Sequence, residues 1–121
     1  MNLSGVGANE GDDELEILLE GIQERVRAKK YWLTSHAERE READQISVKE
    51  IEDALLLNKC EVVEDYPDDP RGHSCLILGF TTAGLPLHLV CGISPEKLVI
   101  IITVYRPDPS VWINWRTRRE G

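Results

Sequence analysis

Apolar positions change their spacing along the chain. Leu15, Leu18, Leu19, Ile22 and Val26 recur at the interval of one helical face. Val48, Ile51, Ala54 and Leu55 repeat that interval in a second stripe. Beyond residue 60 the pattern turns strand-like. Leu85, Leu87, Leu89 and Cys91 point one way along a strand, while Pro86, His88 and Val90 point the other. Val99 to Val104 is β-branched at nearly every position and uncharged, which predicts a central strand buried on both sides.

Capping and turn residues place boundaries on these segments. Residues 1–11 lack periodicity and read as a mobile tail. Asp12 or Asp13 then caps a helix running to about Lys30. Its acids (Asp13, Glu14, Glu16) lead and its bases (Arg25, Arg27, Lys29, Lys30) trail, which suits the helix dipole. Tyr31 to Thr34 reads as a short extended piece. Ser35 with Glu38, and Ser47 with Glu50, form two capping boxes. They predict helices over 36–44 and 48–58, the second closed by Asn58. Strands follow over 61–65, 74–80, 85–91 and 99–105. They are separated by the loop YPDDPRG, a hairpin turn at 81–84 and a short turn at 94–97. Arg106-Pro107-Asp108-Pro109 breaks the sheet before an aromatic stretch at 111–115 and a basic end, RTRRE.

Helices first and a meander afterwards predict an α+β fold. An N-terminal helix and two short helices pack on a twisted antiparallel sheet of about four strands. The chain divides into a tail (1–11), an amphipathic helix (12–30) and one α+β domain (31–121). The first helix packs its stripe on that domain or offers it to a partner.

Composition narrows the function classes. A chain of 121 residues with 41% apolar content is one domain with a single core. No window approaches the roughly 18 apolar residues of a membrane span, and the N-terminus lacks the pattern of a secretory signal. The expectation is a cytoplasmic protein away from membranes. Cys60, Cys75 and Cys91 are odd in number without CxxC spacing, so they read as buried thiols in a reducing compartment. A net charge of −8 argues against DNA and anionic membranes. It leaves room for RNA through a local basic patch, or for a basic partner.

Four pieces could carry chemistry. His36 begins a short helix followed by Arg39 and Arg41. Helix N-terminal amides favour its neutral form, suited to a general base, unless it is a plain surface histidine. His88 interrupts an apolar strand. It is either a structural, hydrogen-bonded residue or a group lining an open sheet face. Tyr105 and Arg106 end the central strand, where a phenol can stack or pass a proton and a guanidinium can hold a phosphate. Alternatively the tyrosine anchors the sheet edge and the arginine stands in solvent. Arg116, Arg118 and Arg119, with Trp112 and Trp115, could grip nucleic acid, or form a frayed tail. P-loop, GxGxxG, HExxH and nucleophile-elbow patterns are absent, and His36, His73 and His88 lack metal-ligand spacing. No metal and no cofactor is therefore expected. The acids of YPDDP could hold a divalent cation, but such a segment is more often a turn.

Several pieces carry a family likeness: SHA at 35–37, SVKEIEDALL, DYPDDPRG with SCLILG, the segment PLHLVC, and VIIITVYRPDPSVW. From about Leu33 to Trp112 the chain resembles a family of small, mostly bacterial domains of unknown function that look like RelE/ParE-type toxins. The resemblance implies the toxin half of a toxin–antitoxin pair, often encoded beside a small zinc-finger antitoxin. It implies a metal-independent endoribonuclease in which the ribose 2′-hydroxyl attacks the adjacent phosphate, on RNA or the ribosome. His36 matches the histidine of SHA, His88 that of PLH, and Tyr105 and Asp108 the YxPDP segment. The implied roles are His88 and His36 as paired acid and base, Tyr105 as a stacking or positioning group, and Arg106 and Arg39 on the phosphate. Arg41 and Arg116 would assist substrate binding. The competing expectation is a non-catalytic protein-interaction module with a toxin-like fold. A weaker one is a small-ligand or metal binder using the histidines.

Overall fold

The computed structural model describes residues 10–57 and 59–120. Helix α1 spans Glu10–Arg27, and a short strand β1 follows at Tyr31–Leu33. Helices α2 (Ser35–Ala43) and α3 (Val48–Leu56) come next. The strands β2 (Glu61–Tyr66), β3 (Ser74–Phe80), β4 (Pro86–Ile93) and β5 (Val99–Tyr105) form the meander. Strands β6 (Trp112–Ile113) and β7 (Thr117–Arg118) end the described chain. No helix among these residues is long and apolar enough to cross a membrane.

The fold is α+β, with three helices against a main sheet ordered β1-β5-β4-β3-β2. The expectation of about four antiparallel strands needs correction. The sheet has five strands and is mixed, because Tyr31–Leu33 pairs parallel with Val99–Ile101. Strand β5 has two edges to satisfy, and only one is taken by β4.

Local chemistry explains the helix ends. Helix α1 begins two residues earlier than expected, so residues 10 and 11 are helical and the rest of the expected tail lies outside the described residues. It ends at Arg27, three residues earlier than expected, because Lys29 adopts a left-handed φ of 63°. Lys30 N–H then donates to Arg25 O, and Lys29 N–H to Val26 O, the paired bonds of a Schellman stop. Helix α2 is capped by Thr34 rather than Ser35: the Thr34 hydroxyl accepts from Ala37 N–H at 3.0 Å. The same hydroxyl donates to Ile102 O at 2.9 Å, a bond to β5 that local sequence cannot reveal. Glu38 pairs instead with Arg41 at 2.8 Å. The second capping box, Ser47 with Glu50, forms in both directions. Helix α3 ends with Leu57 at its C-cap, and the expected cap Asn58 lies outside the described residues.

The core lies on one face of the sheet. Ile22 and Val26 of α1, and Ile51, Ala54 and Leu55 of α3, pack on it. They meet Cys75, Ile77, Leu87, Leu89, Cys91, Val99, Ile101 and Val104 from the strands, all fully buried. Leu18 and Leu19 extend the α1 stripe onto this core, so α1 is part of the domain's packing. Helix α3 approaches β3 so closely that a Cβ at Gly79 would stand 2.3 Å from Ala54 O. Any side chain there would push the layers apart. Cys75 and Cys91 are register partners in the core, yet all three cysteines are free thiols.

The opposite face divides in two. Strand β5 is less enclosed than its composition predicted, since Ile100 and Thr103 are half-exposed on this outer face. A register shift between β4 and β5 inserts Ile102 as an extra residue. Further along the same face, the C-terminal segment folds back as the β6–β7 hairpin. The frayed-tail reading of the basic end is therefore corrected: Trp112 is buried, and the hairpin packs it onto His88.

Candidate functional site

His88 stands on the outer face of β4, as strand alternation requires, opposite Tyr105 in register. The expected open face is closed at this point, and His88 is fully buried. Its Nε2 lies 2.8 Å from Trp115 O, and its Nδ1 lies 3.0 Å from Tyr105 Oη. A backbone carbonyl only accepts, so Nε2 carries the proton. Nδ1 then accepts from the Tyr105 O–H. Both ring nitrogens are engaged by the protein's own groups. The rings of Tyr105 and Trp112 meet the imidazole edge-on, with centroids 5.3 Å and 4.5 Å away.

Burial pushes His88 below the ordinary imidazole range, with partial opposition from the Trp115 carbonyl and Glu64. Burial also raises the Tyr105 phenol. The pair is thus a neutral imidazole bonded to a neutral phenol. Such a pair can pass a proton, provided that solvent or substrate reaches it.

The cover over this pair is held by charge at its rim. Arg118 stacks over Trp112 at 4.6 Å and pairs with Glu64 at 2.8 Å. Arg116 pairs with Glu61 at 2.7 Å, and Arg119 donates to Pro109 O. Arg116 was expected to bind substrate; here it ties the hairpin to β2. Arg118 is the more consequential residue. Only its place in a basic run marked it in the sequence. The turn itself is unusual, because Asn114 and Trp115 have φ values of 53° and 66°. They are the central residues of a turn closed by Arg116 N–H on Ile113 O, within a three-residue loop between the paired Ile113 and Thr117, and a left-handed tryptophan there is costly.

The remaining expected site residues lie around α2. His36 is exposed and pairs with Glu40 at 3.3 Å. Glu40 Oε1 accepts from Val104 N–H at 3.0 Å, and Asp44 Oδ2 accepts from Arg106 N–H at 3.0 Å. Four residues along a helix advance about 6 Å, close to the roughly 6.7 Å that two residues advance along a strand. Carboxylates at positions 40 and 44 therefore serve alternate amides of the β5 edge that β1 leaves uncovered. Arg106 closes the same junction: Nε donates to Asp44 O and Nη2 to Gln45 O and Glu50 Oε1. A cation on the final carbonyls of α2 also suits the helix dipole. Its Nη1 is buried without a partner. Arg41 donates to Glu38 and to Ile46 O, while Arg39 is exposed.

The structure thus brings His88 and Tyr105 together, and separately gathers His36, Glu40, Asp44 and Arg106 along α2. Among the described residues, no hydrogen bond, ion pair or ring contact joins His36 to His88. Nor are three His, Cys, Asp or Glu side chains grouped there to hold a metal ion. The loop YPDDPRG is organised by Asp69, which accepts from Arg71 N–H and Nε and from Ser74 Oγ. Arg71 above all, then Ser74, holds that carboxyl well below the usual range.

The uncovered half of the outer face holds a groove of about 260 Å³. Ile100, Ile102 and Gly92 line it, with Trp32 beside them and Arg71 and Glu96 among its polar groups. Trp32 is 49% exposed, the largest side chain left so open. Sequence reading placed Trp32 on a strand without assigning it a role. Its signal is a tryptophan on a short edge strand, which meaningfully stands out only once the sheet order is known.

Residues 33–106 match the model of a family described as a domain of unknown function, DUF4258, and the chain belongs to that family. The match takes in His88, Tyr105 and most of the groove, and it leaves out α1 and the hairpin. No curated protein and no solved structure matches the chain.

Proposed function

We propose that this DUF4258 protein is the toxin-like half of a toxin–antitoxin pair and works as a protein-binding module, without using His88 in chemistry. The observation that carries the reading is the engagement of both His88 nitrogens beneath the hairpin. A general base needs a free lone pair within reach of its substrate. Three further observations support the reading. The α+β layering suits the RelE/ParE-type likeness of the sequence. Trp32 and the isoleucines of the groove offer an aromatic anchor of the kind that dominates protein interfaces. The net charge of −8 favours a basic protein over RNA. The partner implied by the resemblance is a small zinc-finger protein of the antitoxin kind.

The experiment is calorimetric titration of the purified chain with such a protein encoded beside it. Trp32→Asp is expected to weaken binding by about 30-fold, the loss of one aromatic hot spot. His88→Gln, which keeps an N–H toward Trp115 O, is expected to bind like wild type. Undiminished binding by Trp32→Asp would overturn the reading.

A second reading, the metal-independent endoribonuclease, is favoured by one observation: the Tyr105 hydroxyl is already bonded to His88 Nδ1. With the hairpin displaced, His88 and Tyr105 would face RNA. His88 would take the proton of the ribose 2′-hydroxyl as that oxygen attacks the phosphate, and an acid would protonate the departing 5′-oxygen. His36 or Arg39 would have to reach the same phosphate.

A further inference from the structure

The hairpin that covers His88 is a two-stranded sheet of its own, apart from the main sheet. Each of its strands has two residues, and its turn holds an aromatic residue in a left-handed conformation. Of its polar ties to the sheet, Arg116 to Glu61 is an exposed pair, which contributes little, while Arg118 to Glu64 is bidentate on a half-buried carboxylate. Docking therefore rests on that pair, on burying Trp112 and on the bond from His88 Nε2–H to Trp115 O. The last two contacts converge on one titratable ring.

The surroundings of that ring suit a neutral imidazole. Leu78 faces it from β3 and is fully buried. Tyr105 of β5 fills Nδ1 with its own O–H, so a second ring proton would displace that bond and force the hydroxyl to turn. Trp112 of β6 closes the remaining side. The polar groups nearby oppose each other: the Trp115 carbonyl of the hairpin turn and Glu64 of β2 favour an imidazolium, Arg118 of β7 repels it, and burial outweighs them in favour of the neutral ring. Glu40 of α2 acts on Tyr105 from the strand edge. An imidazolium here would be a charge without solvent-accessible surface, set among these groups. Lifting the hairpin removes Trp112 and Arg118 together and restores hydration.

We infer that the β6–β7 hairpin is a detachable strap over His88 and Tyr105, docked on the neutral imidazole and released when the ring takes up a second proton. Release by protonation bares an imidazolium beside the Tyr105 phenol. Such a ring can give a proton to a departing oxygen but cannot act as the base of the ribonuclease reading, and the binding reading does not need it. The strap is a property of the free chain, so it stands or falls apart from partner binding.

Hydrogen exchange by NMR on the free protein between pH 8 and pH 4 tests this, expressed as protection factors to remove the intrinsic pH dependence of exchange. The expected result is a loss of protection at Ile113, Arg116 and Arg119 that follows the His88 titration. Its steepest slope is about tenfold per pH unit, the signature of one linked proton. Amides of β3 and β4 keep their protection over the same range. In His88→Gln the loss of protection at the hairpin disappears while the sheet amides stay protected. Hairpin protection that is unchanged while His88 titrates would overturn the inference. So would the same slope in His88→Gln, or loss of hairpin and sheet protection together.

Discussion

The two halves of the outer sheet face are made of the same strands and reach opposite ends. Around His88 both ring nitrogens and the Tyr105 hydroxyl are bonded within the protein, and the hairpin buries the ring. Around Ile100 and Ile102 the strand residues are apolar, the rim is polar, and Trp32 stays half in solvent. The difference teaches that burial alone does not mark a working site. The sealed half holds the titratable pair that chemistry would favour, yet its hydrogen bonds are consumed within the fold. The open half sets Trp32, Ile100 and Ile102 beside Arg71 and Glu96, and the β6–β7 hairpin does not line it.

The widest separation between the halves is expected in stability. Trp112→Ala should cost about 3 kcal/mol, the range for a large buried side chain. Trp32→Ala should stay within about 0.5 kcal/mol of wild type, as an exposed position does. Urea unfolding of the two variants checks the contrast, and equal losses would mean that Trp32 is structural after all.

A smaller effect belongs to the boundary that frames both halves, the β5 edge served by α2. Glu40→Ala leaves Val104 N–H without its acceptor and should cost about 1–2 kcal/mol. Glu40→Gln keeps an oxygen there and should recover most of that loss. If both variants unfold alike, the carboxylate's charge matters more than the bond it accepts.

The smallest effect concerns pH. His88 titrates lower in the folded protein than in the unfolded chain, so the folded state holds fewer protons. Its contribution is complete above about pH 6.5, the unfolded value, and is lost as pH falls through the lower folded value. Urea midpoints at pH 7.5, 6 and 5 should decline more in wild type than in His88→Gln. A parallel decline would contradict this, because the depressed carboxyls of Asp69 and Glu64 give up their contribution only below about pH 5.

How far the sequence revealed this arrangement depends on the range of the interaction involved. The Ser47–Glu50 capping box was legible because both partners lie within one turn. The helix before it was misplaced by one cap, since Thr34 and Ser35 are adjacent and a bond from Thr34 to Ile102 decides between them. The outward orientation of His88 followed from strand alternation. Its closure did not, because Trp112 and Trp115 arrive from beyond the sheet and the turn uses left-handed residues without glycine. The parallel docking of β1 was hidden for the same reason: its partner lies nearly seventy residues away. Arg106 was expected to hold a phosphate or to stand in solvent, and it bonds the carbonyls of Asp44 and Gln45 just past α2, a partnership between segments about sixty residues apart.

In the proposed function the chain works through its open half while His88 holds the structure. Mapping RNA 5′ ends after induced expression in a bacterial host, with wild type beside folded His88→Gln, separates this from the ribonuclease. The same set of ends is expected for both proteins and for uninduced cells. New ends produced by wild type and missing from His88→Gln would contradict it and return His88 to the chemistry.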